Sequence, residues 1–309
     1  MLDHRTLFAR TVSESDLRTF QSALHNSDFV VSVEPVLRPE LPGGYLRSAA
    51  RKLAGRVDAM QYGSDRYATG PLSPLAAASI VMGEGVDTVM RLSCRDRNRV
   101  ALQGELLGAA ALGVTSVVLE RGRKLPESLK GKVKGVFDTT PENLLGMAAQ
   151  LTRAVDGAKA MNVTLGSSAT VIDPRKQWKG KRLLRKIDAG ASFLQTQPCL
   201  NAHLMQKYMA AVVALRITHR ASILVEVPLL TSIAEGKALK AADSGALLPP
   251  PLMQRLGDAA DPVAEGEAIC VEVARDVMQI PGVAGINISF SGEIGSLLSV
   301  LGQLERPDG

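Results

Sequence analysis

The chain has 309 residues, of which 46% are apolar and 22% charged, a balance that excludes wholesale disorder and fibrous or mucin-like architectures. Against 31 acidic residues stand 36 Lys and Arg, so the net charge is +5, a small excess for so long a chain. Length admits two ordinary domains or one large α/β barrel.

In chain order, residues 1–25 precede any β-branched run and are expected to form a helical extension. Eight short β-branched runs follow: Phe29 to Val36, Ala59 to Gly63, Thr88 to Cys94, Ser116 to Glu120, Val163 to Val171, Phe193 to Gln197, Ser222 to Leu229 and Gly285 to Ser291. Between them lie Ala/Leu-rich segments of helical period, among them Arg99 to Leu112, Pro141 to Ala154 and Asn201 to Ala214. Strand followed by helix, repeated, implies a parallel sheet. Eight uninterrupted repeats of roughly 30 residues favour a closed eight-stranded (β/α)8 TIM barrel over an open doubly wound sheet. No linker composition divides the chain, so residues 1–309 are expected to form a single α/β barrel domain, with 1–25 as its N-terminal helical extension. Two connections exceed the repeat, Arg121 to Thr140 and Thr231 to Ala260, and both are expected to be insertions covering the barrel mouth.

Several function classes drop out. The run from Leu106 to Leu119 is interrupted by Gly108, Gly113, Thr115 and Ser116, and none attains the roughly 18 apolar residues of a membrane helix. Asp3 and alternating charges stand where a signal peptide needs an apolar segment. Cys94, Cys199 and Cys270 are widely spaced, without a CxxC pair or a His arrangement suited to zinc, and read as packing residues. A reducing cytoplasm, no membrane partner and no metal are the expectation. Aromatic residues are 4% of the chain, and only Trp178 interleaves a basic tract, which argues against nucleic acid. Neither a GxGxxG after a strand nor a P-loop occurs.

In a barrel, chemistry belongs at the C-terminal strand ends. That rule selects Glu34, Gln61, Ser93, Arg95, Asp96, Glu120, Arg121, Ser168, Gln197, Glu226, Ser291 and Glu293. Glu34 lies inside the apolar run VVSVEPV, where a carboxylate is costly unless it serves a site or finds an ionic partner. The segment Arg95-Asp96-Arg97-Asn98 reads as a loop entering a helix, with Asp96 or Asn98 as N-cap, or else as a substrate or partner contact.

The series VVSVEPVLRP, VDAMQYGSDRYATGPLSPLAAA, RLSCRDRNRVALQGELLGAAALGV, LLRKIDAGASFLQTQP and GVAGINISFSGE resembles the methylenetetrahydrofolate reductase family, in the branch with Arg-Asp-Arg-Asn after the third strand. The resemblance covers about residues 27–303 in the order of the family's barrel strands. It implies a cytoplasmic oxidoreductase of one-carbon metabolism in which NAD(P)H reduces a bound FAD. The flavin then delivers hydride to 5,10-methylenetetrahydrofolate, forming 5-methyltetrahydrofolate. By position Glu34 matches the family's general acid, since the methylene bridge opens to an iminium only when the departing nitrogen gains a proton. A buried Glu with a raised pKa would hold that proton at neutral pH. Gln197 matches the glutamine on the pterin edge, a role that suits an amide's donor and acceptor; a rim residue bonding its own loop is the alternative. Arg123 and Ser291 join it as expected substrate-binding residues. Arg91, Ser93, Arg121, Ser168, Lys179, Arg185 and Lys186 are expected to line the cofactor.

Three of these positions depart from the family. Arg123 stands where members carry an acid after the fourth strand, Arg91 where many carry His, and Lys179 where many carry Asp. A cation beside a flavin would raise its potential and favour oxidation of 5-methyltetrahydrofolate. Without flavin, the barrel would take hydride directly from a nicotinamide, or serve as a non-flavin folate-binding or methyl-transfer partner or accessory protein. A homo-oligomer or a partner subunit fits either case.

Charge is unevenly placed. Seven basic residues fall between Arg175 and Lys186 and six between Arg121 and Lys134, with Glu127 alone opposing, so these tracts carry +12 against −7 elsewhere. Both follow adjacent strands, the fourth and fifth. They read either as solvated helix faces or as one electropositive rim for a pyrophosphate, an NADP 2′-phosphate or a folate polyglutamate tail.

Overall fold

The computed structural model describes residues 19–26, 29–36, 43–63, 72–123, 125, 129, 131–152, 162–291 and 293–305. Eight parallel strands close on themselves in sequence order: β1 (Val30–Pro35), β2 (Ala59–Tyr62), β3 (Thr88–Ser93), β4 (Ser116–Glu120), β5 (Thr164–Ala169), β6 (Phe193–Pro198), β7 (Ser222–Leu229) and β8 (Val283–Phe290). Closure is made by β8 on β1, from Val30 opposite Gly285 to Pro35 opposite Phe290. The expected barrel is therefore present, and β4 and β7 have the bounds read from the sequence.

The helices that follow the strands are α2 (Gly43–Leu53), α3 (Pro74–Met82), α4 (Arg99–Ala111), α5 (Pro141–Leu151), α6 (Lys181–Asp188), α7 (Ala202–Ala214), α8 (Ile233–Ala242), α9 (Pro250–Asp258), α10 (Pro262–Met278) and α11 (Ile294–Gln303). Local chemistry fixes several starts. Asn98 caps α4 by accepting from the Ala101 amide at 2.8 Å, and Thr140 caps α5, whose first residue is Pro141. The insertion after β7 is built of α8 and α9. The segment between these two helices returns to the sheet, where the Leu247 amide donates to Pro198 and the Leu200 amide to Leu247, both at 2.8 Å.

Strand parity separates two apolar regions. Val31, Val33, Met60, Met90, Leu92, Leu119, Leu194 and Val225 pack outward against the helices in one continuous core. Val30, Ala59, Val89, Val118, Phe193 and Leu224, of opposite parity, form a floor inside the barrel. Before β1 comes the short helix α1 (Phe20–His25), and its Phe20 and Ala23 close that floor from the N-terminal side. The Phe20 ring meets Phe193 edge-on at 5.1 Å, and the Phe20 amide donates to Asp87 at 2.8 Å. Gly166 makes room for this plug, since a methyl there would lie 2.2 Å from the Phe193 ring. Of the expected extension, residues 1–18 lie outside the described residues. Among the described residues no helix is long and apolar enough to cross a membrane.

Candidate active site

Above the floor, the inward parity turns polar where barrels ordinarily pack branched aliphatics. Ser32, Gln61, Arg91, Gln195, Glu226 and Asn287 are all buried. The Glu34 carboxylate stands one step higher on β1, 6% exposed. Its Oε2 accepts from Arg91 at 3.3 Å and from the Asn287 amide at 3.2 Å. The same Arg91 guanidinium reaches Glu120 at the end of β4, at 2.8 Å. An acid–cation–acid triad, buried at Glu34 and Arg91 and partly buried at Glu120, thus spans β1, β3 and β4. Arg91 has room to cross the lumen because its neighbour on β2 is Gly63, where a methyl would lie 3.1 Å from the arginine stem.

A hydrogen-bonded chain leads away from Glu34. Asn287 accepts from the Ser32 hydroxyl at 3.0 Å, and Ser32 accepts from the Gln61 amide at 2.8 Å. Glu226, fully buried on β7, accepts from the Ser289 hydroxyl at 2.8 Å.

Of the basic tract after β4, Arg121 joins the tract after β5. Arg121, Lys179, Lys181, Arg182, Arg185 and Lys186 line one cleft of about 960 Å³ at the mouth between β4, β5 and α6, together with Ser168 and a single acid, Glu142. Lys186 donates to the Ser168 carbonyl at 2.5 Å and to its hydroxyl at 3.1 Å. Burial pushes the Lys186 ammonium below its usual pKa. The Arg121 guanidinium sits 4.8 Å over the Phe137 ring. Phe137 is held there with φ of 46° because its amide and that of Val136 bond the Cys94 and Arg95 carbonyls, folding the insertion over the end of β3.

Other expected site residues are engaged within the protein. Gln197 accepts from the Val171 amide at 2.9 Å and donates to the Val171 carbonyl at 3.2 Å, so both ends of its side chain hold the β5 loop. Arg123 pairs with Asp243, the C-cap of α8, at 2.9 Å, joining the two insertions across the mouth. Ser291 donates to Glu235 at 2.6 Å. Ser93 donates to Asp96 at 3.0 Å, and Asp96 also takes two bonds from Arg95, which is buried rather than presented to a ligand. Gln195 was not singled out by sequence. It is 1% exposed, and neither its Oε1 nor its Nε2 has a hydrogen-bond partner among the described residues. Parity was the available signal, since it shares the inward face of β6 with Gln197.

The three cysteines are buried, and desolvation raises Cys94 and Cys199 to about 11 and Cys270 to about 12. No cluster of three or more His, Cys, Asp or Glu that could hold a metal ion occurs among the described residues.

Comparison with known proteins bears on the site. The model of the methylenetetrahydrofolate reductase family matches residues 59–288. No curated protein matches the chain. Among solved structures, an uncharacterized Clostridium thermocellum protein that binds two copies of 5-methyl-5,6,7,8-tetrahydrofolic acid superposes with a TM-score of 0.60 at 11% identity, covering 92% of this chain and 96% of that one. An EDTA monooxygenase from Chelativorans sp. BNC1 superposes at 0.53 with 12% identity, covering 89% and 92%. At such identities the two structures attest the barrel alone.

Proposed function

Because this chain belongs to the methylenetetrahydrofolate reductase family, we propose that it interconverts 5,10-methylenetetrahydrofolate and 5-methyltetrahydrofolate, with Glu34 as the acid that opens the one-carbon bridge. The observation that carries the reading is the placement of Glu34, a carboxyl on the lumen side at the C-terminal end of β1, fixed by Arg91 and Asn287. Folate as ligand is supported by the Clostridium thermocellum barrel that binds 5-methyltetrahydrofolate.

Held by Arg91 and Asn287, the Glu34 carboxyl is the group that gives the proton to the departing nitrogen. Arg91 positions this carboxyl and ties it to Glu120. With both acids ionised the triad carries one net negative charge. Where Glu34 and Arg91 are buried, that charge favours the iminium cation formed when the bridge opens.

FAD and NAD(P)H belong to the same proposal. The donor set fits the anionic part of a dinucleotide, because Arg121, Lys179, Arg185 and Lys186 converge on one cleft whose described lining holds one acid, Glu142. Arg121 and Lys179 enter it from the β4 and β5 loops, and Arg185 and Lys186 from α6. When bound, a flavin supplies hydride taken from the nicotinamide.

A second reading, in which the barrel binds folate and serves a partner protein without hydride chemistry, follows from Arg123 and Lys179 standing where the family carries acids. Incubating the purified chain with 5,10-methylenetetrahydrofolate, NADH or NADPH, with and without added FAD, and separating the folates by chromatography distinguishes them. Formation of 5-methyltetrahydrofolate supports the oxidoreductase. Folate binding with no product under any condition leaves the binding protein.

A further inference from the structure

Helices α3, α4 and α5 lie side by side on the outside of the barrel and carry three charged residues between them, Arg99, Glu105 and Glu142, in a chain that is 22% charged. On α4, Leu102, Leu106 and Ala109 face the core. The opposite side is apolar too. Val100 is 78% exposed and Leu107 47%, and Gly104 and Ala111 are exposed between and beyond them. These four positions are spaced by four, three and four residues, the repeat of a coiled-coil seam and not of a solvated helix face. Depletion of charge over such a surface marks the core of a protein–protein interface. We propose that two copies of the chain meet on this surface, α4 of one packed antiparallel on α4 of the other about a two-fold axis.

The seam is self-complementary. In a two-fold antiparallel pair, residue i faces residue j of the partner and j faces i. Centred between Glu105 and Leu106, the pairing sets Leu107 on the partner's Gly104 and Val100 on the partner's Ala111, each large side chain against a small one. A Cβ at Gly104 would meet nothing within 4 Å, so the hole that receives Leu107 is open in the single chain. Charge is complementary as well. The exposed Arg99 lies opposite the partner's Leu112, the C-cap of α4, where the last carbonyls carry the negative end of the helix dipole. Symmetry makes this contact twice. Such a register belongs to a surface that meets itself, and an unrelated partner does not require it. Helix α4 alone, about 20 Å long, falls short of the roughly 800 Å² per partner of a standard interface. The two-fold axis sets α3 beside α3 and α5 beside α5. Helix α3 carries no charge, and α5 carries only Glu142, which lines the cationic cleft, so these flanks widen the contact without repulsion.

The test is sedimentation velocity of the full chain over a range of concentrations, on wild type and Leu107→Glu, together with copper-phenanthroline oxidation of the double variant Val100→Cys/Ala111→Cys. Wild type is expected to sediment as a dimer. Leu107→Glu changes an exposed side chain and is expected to keep the wild-type circular dichroism, while its dimer dissociation constant rises roughly tenfold or more. In the double variant the two new thiols lie about 16 Å apart along their own helix, too far to bridge within one chain. Each faces the other across the two-fold axis, so oxidation is expected to give a covalent dimer on a non-reducing gel. Val100→Cys alone is expected to give none, since the three native cysteines are buried. Where one variant fails to fold, the other decides. A wild type that stays monomeric at every concentration, a dimer indifferent to Leu107→Glu, or a folded double variant that does not cross-link overturns the assignment.

Discussion

Arg91 holds two acids at once, Glu34 at 3.3 Å and Glu120 at 2.8 Å, and its side chain is 6% exposed. Removing the cation from such a triad leaves the buried Glu34 and the partly buried Glu120 without their common partner, a loss of about 3–5 kcal/mol for a broken buried pair. Arg91→Met is therefore expected to lower the midpoint of urea unfolding at pH 7 by far more than Arg220→Met, whose pair with Asp188 is about half exposed. Equal shifts would mean that the triad is no structural unit. The cysteines give a second check. Raised to about 11 or 12 by burial, the thiols of Cys94, Cys199 and Cys270 stay protonated at pH 8. An aromatic disulfide reagent is expected to titrate none in the native protein and all three in guanidinium. Sequence showed that Glu34 was out of place in its strand, because a charge inside an apolar run is visible without coordinates. The fates of Gln197 and Arg123 were not visible, because their partners lie far along the chain: Val171 is 26 residues from Gln197, and Asp243 sits on the opposite insertion. Hydrophobic periodicity says which face a residue occupies, not which remote group it meets there.

At the level of elements, the strands that read most accurately were those with both ends marked. Ser116–Glu120 runs from a turn glycine to a charge, and Ser222–Leu229 is a long β-branched run. Helices α8 and α9 lay inside a segment read only as an insertion, since Pro249, Pro250 and Pro251 interrupt its helical pattern; in the structure they open α9 from its N-terminal side. Helix α10 approaches the end of β7 so closely that a methyl on Gly266 would fall 1.9 Å from the Leu230 carbonyl oxygen. Gly104 on α4 has open space around it. The two glycines should thus respond oppositely to Ala. Gly104→Ala is expected to stabilise by up to about 1 kcal/mol through helix propensity, while Gly266→Ala must push α10 from the sheet and cost roughly 1–3 kcal/mol. Chemical unfolding of both variants measures this, and a neutral Gly266→Ala would show that the approach is not needed.

For the molecule as a whole, the net +5 conceals a division, because five cations of the tract after β5, joined by Arg121 from the tract after β4, line one cleft while the sequence outside the two tracts carries −7. Such a concentration attracts anions in a manner that salt weakens. Inorganic pyrophosphate is expected to bind there, more weakly at 500 mM than at 50 mM NaCl, and more weakly again in Lys179→Ala and Arg185→Ala. Binding indifferent to salt and to both substitutions would place the anion elsewhere. The barrel itself was legible because eight repeats of strand and helix leave few topologies; the polar lumen was less so, since each of its residues reads alone as an ordinary strand-end polar group.

The most direct test of the account is the turnover of Glu34→Gln set beside its affinity for 5-methyltetrahydrofolate. Glutamine keeps the shape of the side chain and loses the proton. The account predicts a fall in the rate of folate interconversion of about 10²–10⁴-fold with binding little changed. A variant that turns over at the wild-type rate would contradict it.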